Sequence, residues 1–244
     1  MAATPDFSTQ FDSLLNSIAG FLDKLSRVDW NEFVDHYNKA VKDHIEAARM
    51  LAEKGWTIPS WMSLSDPLEL CQLNESELDS QFTAAYIEND FQILNERATK
   101  LIETPEMSPW KTLLTEVRDS VIAGRHLIAV PALLTILEGY AVKVVLKPGP
   151  QDIGRTNLSK LFSETNLHQA AGIEAMPAVS NLAFLQLLFA DSKFDQRPPS
   201  RINRHWALHG RDDCNWTLAD VVRLLNALET LAWLDDIQND RPPR

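Results

Sequence analysis

The sequence predicts an all-α protein. Three observations carry this. Apolar residues return every three or four positions in one segment after another. No stretch sustains the apolar/polar alternation of a half-buried strand, and β-branched residues form few clusters. The 244 residues are 45% apolar and 23% charged, an ordinary globular composition that can build one large core or two small ones. That apolar share, with only 8 glycines, excludes a disordered or collagen-like chain. Cys71 and Cys214 are too few and too far apart for a disulfide scaffold, which points to a reducing compartment. The start of the chain lacks a basic segment followed by an apolar one, so no signal peptide is expected. No apolar run approaches the roughly 20 residues of a membrane helix. The expected setting is the cytoplasm, with no membrane partner.

Taken in order, Phe7, Phe11, Leu14, Leu15, Ile18, Leu22 and Leu25 form one helical stripe. Asp29 and Glu32 have the spacing of a capping box for a second helix. Its inner face is expected to be Trp30, Phe33, Val34, Tyr37, Val41, Ile45 and Ala48, and Gly55 stops it. The aromatic loop from Gly55 to Trp61 reads as a plug in a bundle gap, with ligand binding as the alternative. A third helix over 75–103 turns Leu78, Phe82, Ala85, Ile93 and Leu94 inward. Pro105 and Pro109 then punctuate the chain and suggest a domain boundary, with an acidic helical region over 1–107 and a helical bundle over 108–244. A helix starting near Ser108 carries Leu113, Leu114, Val117 and Val121 to a stop at Gly124. Residues 125–146 read as a helix apolar on nearly every face, the mark of a central bundle position. Short helices follow at 158–162 and 177–190. Thr217 and Asp220 open the last helix, which carries Val221, Val222, Leu224, Leu225, Leu228, Leu231 and Leu234.

Charge is uneven. Residues 1–108 hold 8 Lys+Arg and 19 Asp+Glu, a net of −11, while 109–244 hold 15 of each. A phosphate polymer is repelled by the N-terminal half and can approach only the C-terminal half. Within the C-terminal half a single stretch stands out, from Arg197 to Arg211. It has four Arg, two His and no acidic residue. Arg offers a planar fork matched to phosphate oxygens, and His moves protons near neutral pH. Metal-free cleavage of a phosphodiester needs both. Ser200 can cap a helix over 201–208, and Gly210 can end it in a left-handed turn. Arg204 and His209 are about 140° apart on a continuous helix. They converge only if the chain turns back at His209-Gly210.

Arg204-x-x-x-x-His209, with His205 directly after the Arg, resembles the signature of the HEPN superfamily of α-helical domains. The string Asn203-Arg204-His205-Trp206-Ala207-Leu208-His209-Gly210 is similar to its abortive-infection branch, as is the upstream run Ala129 to Gly139, which contains Glu138. The match covers roughly 109–240 and leaves the first hundred residues unassigned. The resemblance implies a HEPN-like helical bundle that forms a homodimer. It implies one shared ribonuclease site at the dimer interface that cleaves RNA without metal or cofactor and leaves a cyclic phosphate end. It implies a role in phage defence or as a toxin, with an antitoxin or defence-system protein as partner. Carried over by position, His209 is the catalytic His, Arg204 the motif Arg that holds the phosphate, and His205 the polar residue that assists. Arg201, Asn203 and Arg211 would bind substrate, and Glu138 would be an acidic partner on the earlier helix.

Plainer readings stand beside these. Arg204 can pair with Glu138 or an aspartate while His209 caps a helix end. His205 and His209 also have the i, i+4 spacing of two metal ligands, with Cys214, Asp212 or Asp213 as a third, although neighbouring arginines repel a cation. Trp206 and Trp216 suit core packing or RNA base stacking. As a whole the chain can also be a non-catalytic helical dimerisation or interaction module for a protein partner.

Overall fold

The computed structural model describes residues 29–145, 175–190 and 201–238. Of these, 79% are helical and none lies in a strand, so the protein is all-α. The chain divides into two compact units, Met1–Lys42 and Asp43–Arg244. The stripe expected over 7–25 and the helix expected over 158–162 lie outside the described residues, as does Ser200.

The helix α1 spans Trp30–Glu53. Asp29 caps it, its Oδ1 accepting the backbone N–H groups of Asn31 and Glu32 at 3.0 and 3.2 Å. The expected inner face is corrected at Val34 and Tyr37, which are 49% and 45% exposed. Within the second unit Ala47, Ala48, Leu51 and Ala52 are buried. The aromatic loop that follows is a plug. Trp56 is fully buried, stacks on Phe82 at 4.1 Å and lies under the Arg223 guanidinium at 4.8 Å.

After the short helix α2 (Asp66–Leu70), Asn74 and Glu77 form a reciprocal capping box for α3 (Glu75–Glu103). α3 is kinked at Glu88–Phe91, where Asn89, Asp90 and Phe91 take left-handed φ values of 50°, 57° and 61°. The helix buries Leu78, Phe82 and Tyr86 before the kink and Leu94, Ala98 and Leu101 after it, while Ala85 and Ile93 are half-buried. Pro105 pushes Thr104 into extended backbone and ends α3. A 3-10 segment, Pro105–Trp110, leads into α4 (Lys111–Ile122). The boundary expected at 107/108 therefore falls inside the compact unit 43–244, where α3 packs on α4 across it. Leu114, Val117 and Val121 face the core, whereas Leu113 is exposed.

α5 (His126–Val145) packs against α4 and against the last helix, α8 (Leu218–Gln238), which also packs on α3 and α6 (Met176–Leu188). Its first turn departs from the expected all-round burial, because Leu127 and Ile128 are 55% and 61% exposed. By length and apolar content His126–Lys143 could cross a membrane, which corrects the expectation that no segment comes close. Here it is a bundle helix with Ala129, Val130, Leu133, Leu134, Ile136 and Leu137 fully buried. Gly139 allows close packing: a Cβ added there would lie 2.4 Å from Cζ2 of Trp110. The Trp110 indole in turn meets Tyr140 edge-on at 6.4 Å.

Candidate functional site

The Arg/His segment folds as a five-residue helix, α7 (Arg204–Leu208), in contact with α5. It begins three residues later than the sequence suggests because Asn203 is its cap. The Asn203 Oδ1 accepts the backbone N–H groups of His205 and Trp206 at 3.0 and 3.3 Å, and its Nδ2 donates to the Ala190 carbonyl at 3.1 Å. Asn203 is 4% exposed. In this structure both ends of the side chain that the sequence assigns to substrate are bound to backbone.

The turn that the sequence offers after Leu208 is formed. Gly210 takes φ +64°, its N–H donates to the Ala207 carbonyl at 3.3 Å, and the Arg211 N–H donates to the Trp206 carbonyl at 3.0 Å. These are the two hydrogen bonds of a Schellman motif, which needs a left-handed residue and so favours glycine. His209 sits at the helix C-cap and is exposed. Its ring lies 4.8 Å from that of half-buried His205, at an interplanar angle of 65°. The helical i, i+4 spacing and the turn together place two imidazoles side by side at the surface.

Arg204 behaves differently. Its Nε donates to Glu138 Oε2 at 2.8 Å, and its Nη2 donates to Oε1 and Oε2 at 2.7 and 2.6 Å. The residue is 7% exposed, so a buried, two-pronged ion pair ties α7 to α5. In this structure the Arg204 guanidinium that the sequence assigns to a phosphate is engaged by a carboxylate. Its charge is matched by Glu138, and the pair positions the imidazole-bearing turn. Glu138 is the partner that the sequence named. Trp206 is buried, as packing demands, and Arg211 is exposed beside the turn. Among the described residues no group of three His, Cys, Asp or Glu forms that could hold a metal ion, so Asp212, Asp213 and Cys214 do not join the two histidines.

Arg201 points elsewhere, pairing with Glu75 at the N-terminus of α3. There it lines a cavity of about 440 Å³ with Arg223, which pairs with Asp79 and, at 2.9 Å, with Asp220. Burial pulls the Arg201 guanidinium below its ordinary range against the opposing pull of Glu75, and nearby Arg223 lowers it further. Asp212, Asp213 and Trp216 line the same cavity, and Trp216 Nε1 donates to Asp212 Oδ2 at 3.1 Å. Sequence reasoning missed Glu75, Asp79 and Arg223. The i, i+4 spacing of the first two puts both carboxylates on one face of α3, but nothing in that pattern names the distant arginines they meet.

Comparison with protein-family models, with curated proteins and with solved structures finds no match.

Proposed function

We propose that the protein is a metal-independent endoribonuclease of HEPN type, a cytoplasmic homodimer acting in phage defence or as a toxin. The observation that carries this reading is the pair of adjacent imidazoles, 4.8 Å apart, on an exposed turn. Neutral imidazole can remove a proton and imidazolium can return one, so two of them supply the base and the acid of a transesterification. His209, the exposed ring, takes the proton of a ribose 2′-hydroxyl. The 2′-oxygen attacks phosphorus, and the bond to the 5′-oxygen of the next nucleotide breaks. That oxygen leaves with a proton from His205, or from the facing copy's histidine in a dimer, and a 2′,3′-cyclic phosphate remains. Arg211 neutralises the backbone beside the turn. Arg204 acts as a positioning residue through Glu138.

The test is RNA cleavage by pure protein in excess chelator, compared with His209→Ala. Cleavage by the first and intact RNA with the second supports the reading; intact RNA in both, over several substrates, overturns it.

The buried Arg204–Glu138 pair also suits a second reading, a non-catalytic interaction module in which the motif is a structural clamp. In that case Arg204→Ala and His209→Ala leave the biological activity untouched, while charge reversal within 66–106 abolishes it.

A further inference from the structure

We propose that the groove between α2 and the first half of α3 is a docking site for a basic segment of a protein partner. One large apolar side chain sits in the groove, and lysines or arginines surround it. Among the described residues none from 201 to 211 lines this groove, so the proposal goes beyond the ribonuclease reading and does not rest on it.

The groove holds about 370 Å³, towards the lower end of the roughly 300–1,000 Å³ of ligand sites. Its wall is apolar, built from Trp61, Met62, Leu70, Leu73 and Phe82. Phe82 is buried and fixed by its stack on Trp56, while the other four are half-buried, so solvent reaches the wall. Covering it is favourable in proportion to the apolar area removed from water. A groove of this volume seats one large side chain, as the anchor pockets of protein interfaces do.

Charge decides what surrounds that side chain. Asp66 and Glu69, three positions apart on α2, line the groove, and among the described residues no lysine, arginine or histidine does. Glu69 is exposed, and among the described residues neither carboxylate forms an ion pair. Asp66 accepts only the Ser63 N–H, at 3.1 Å. The field is wider than the groove. Residues 55–96 contain eight Asp and Glu and no Lys, Arg or His. Arg201 and Arg223 neutralise two of these, Glu75 and Asp79, which line the other cavity. Glu77, Glu88 and Asp90 stay exposed on α3. A nucleic-acid backbone is repelled by this surface. A small amine answers one carboxylate and leaves the rest. A peptide segment with several basic residues about one apolar residue answers both the wall and the spread of charge.

Heteronuclear NMR titration of the full chain tests this, with the end-capped peptide Lys-Lys-Phe-Lys-Lys as the probe. Saturable binding is expected, with the largest shifts in α2 and the first half of α3. Replacing the peptide's Phe by Ala should weaken binding about tenfold or more, and replacing its Lys residues by Glu should abolish it. Glu69→Lys changes an exposed position, so the variant keeps the fold, which its spectrum verifies, and it should weaken binding about fivefold. Glu96→Lys makes the same change of net charge on α3 outside the groove and should leave binding unchanged. No saturable binding of the probe overturns the proposal. So does equal binding of the Ala peptide, or an equal loss in Glu69→Lys and Glu96→Lys, either of which reduces the effect to the general field of the acidic stretch. Phenethylammonium binding as tightly as the peptide also overturns it and makes the groove a small-amine site.

Discussion

The Arg204 guanidinium and the Glu138 carboxylate form a two-pronged pair between α7 and α5, with side chains 9% and 18% exposed. Breaking such a pair leaves one charge buried without its partner, which costs about 3 kcal/mol for well-buried groups and less where water still reaches one of them. Arg204→Met and Glu138→Leu are each expected to lower stability in urea unfolding by up to about that amount. The double variant should lose clearly less than the two single losses together. Strict additivity would show that the pair does not couple the helices.

The imidazoles should separate function from stability. His209 is exposed, and its side chain adds little to the core. On the ribonuclease reading proposed above, His209→Ala is expected to lower RNA cleavage by about 100-fold or more while leaving the melting temperature unchanged. Added imidazole should restore some of the activity. A fall in melting temperature matching the fall in activity would instead make His209 a structural cap.

Asn203 gives the opposite pattern. As the cap of α7 it should cost about 1 kcal/mol when replaced by Ala, and Asn203→Asp should restore most of the loss at the backbone N–H groups. Thermal unfolding of the three proteins checks this. Equal stability of Asn203→Ala and the parent would return Asn203 to the substrate.

The kink in α3 predicts a reversal of the usual glycine penalty. Asp90 has φ 57°, where an L-residue is strained by roughly 1–2 kcal/mol. Asp90→Gly is expected to be neutral or stabilising by up to about 1 kcal/mol. Glu96→Gly, at an exposed helical position of the same element, should cost about 1 kcal/mol. Similar losses at the two positions would mean that α3 runs straight through 88–91 in solution.

Glu229 predicts a pH dependence. Burial holds its carboxyl above the ordinary carboxylate range, against the pull of Arg97 at 3.1 Å and the Ser60 hydroxyl at 3.1 Å. A raised value in the folded state means that the fold binds this proton more tightly than the unfolded chain does. Its contribution is full below the ordinary value and is lost as pH rises through the folded one. Stability relative to Glu229→Gln should therefore fall as pH rises from the ordinary carboxylate range towards neutrality. Denaturant titrations of both proteins at several pH values measure this, and a rising difference would contradict it.

Much of the fold was readable from the residues, for local reasons. The Asp29 cap, the Gly210 turn and the helix opening at Thr217, whose N–H donates to Asp220 Oδ2 at 2.9 Å, each depend on neighbours within five positions. The Arg204–Glu138 pair was readable as an option because both residues sit in distinctive motifs. What escaped depends on distant chain. Leu127 and Ile128 read as core because an apolar helix end looks the same in sequence whether or not another helix covers it. Asn203 read as a ligand because its cap geometry depends on where α7 starts and on the Ala190 carbonyl reaching it. The Arg201–Arg223 cavity joins α3, α6, α8 and three loops, and no single window of sequence contains it.

Gly139 carries a consequence for descent. Two adjacent positions on α5 answer to different masters: Glu138 to the arginine on α7, and Gly139 to the indole of Trp110. In related chains the two should drift separately. A lineage that trades the tryptophan for a smaller residue is released to put alanine or serine beside the glutamate. One that keeps the tryptophan must retain the bare backbone, whether or not its histidines survive.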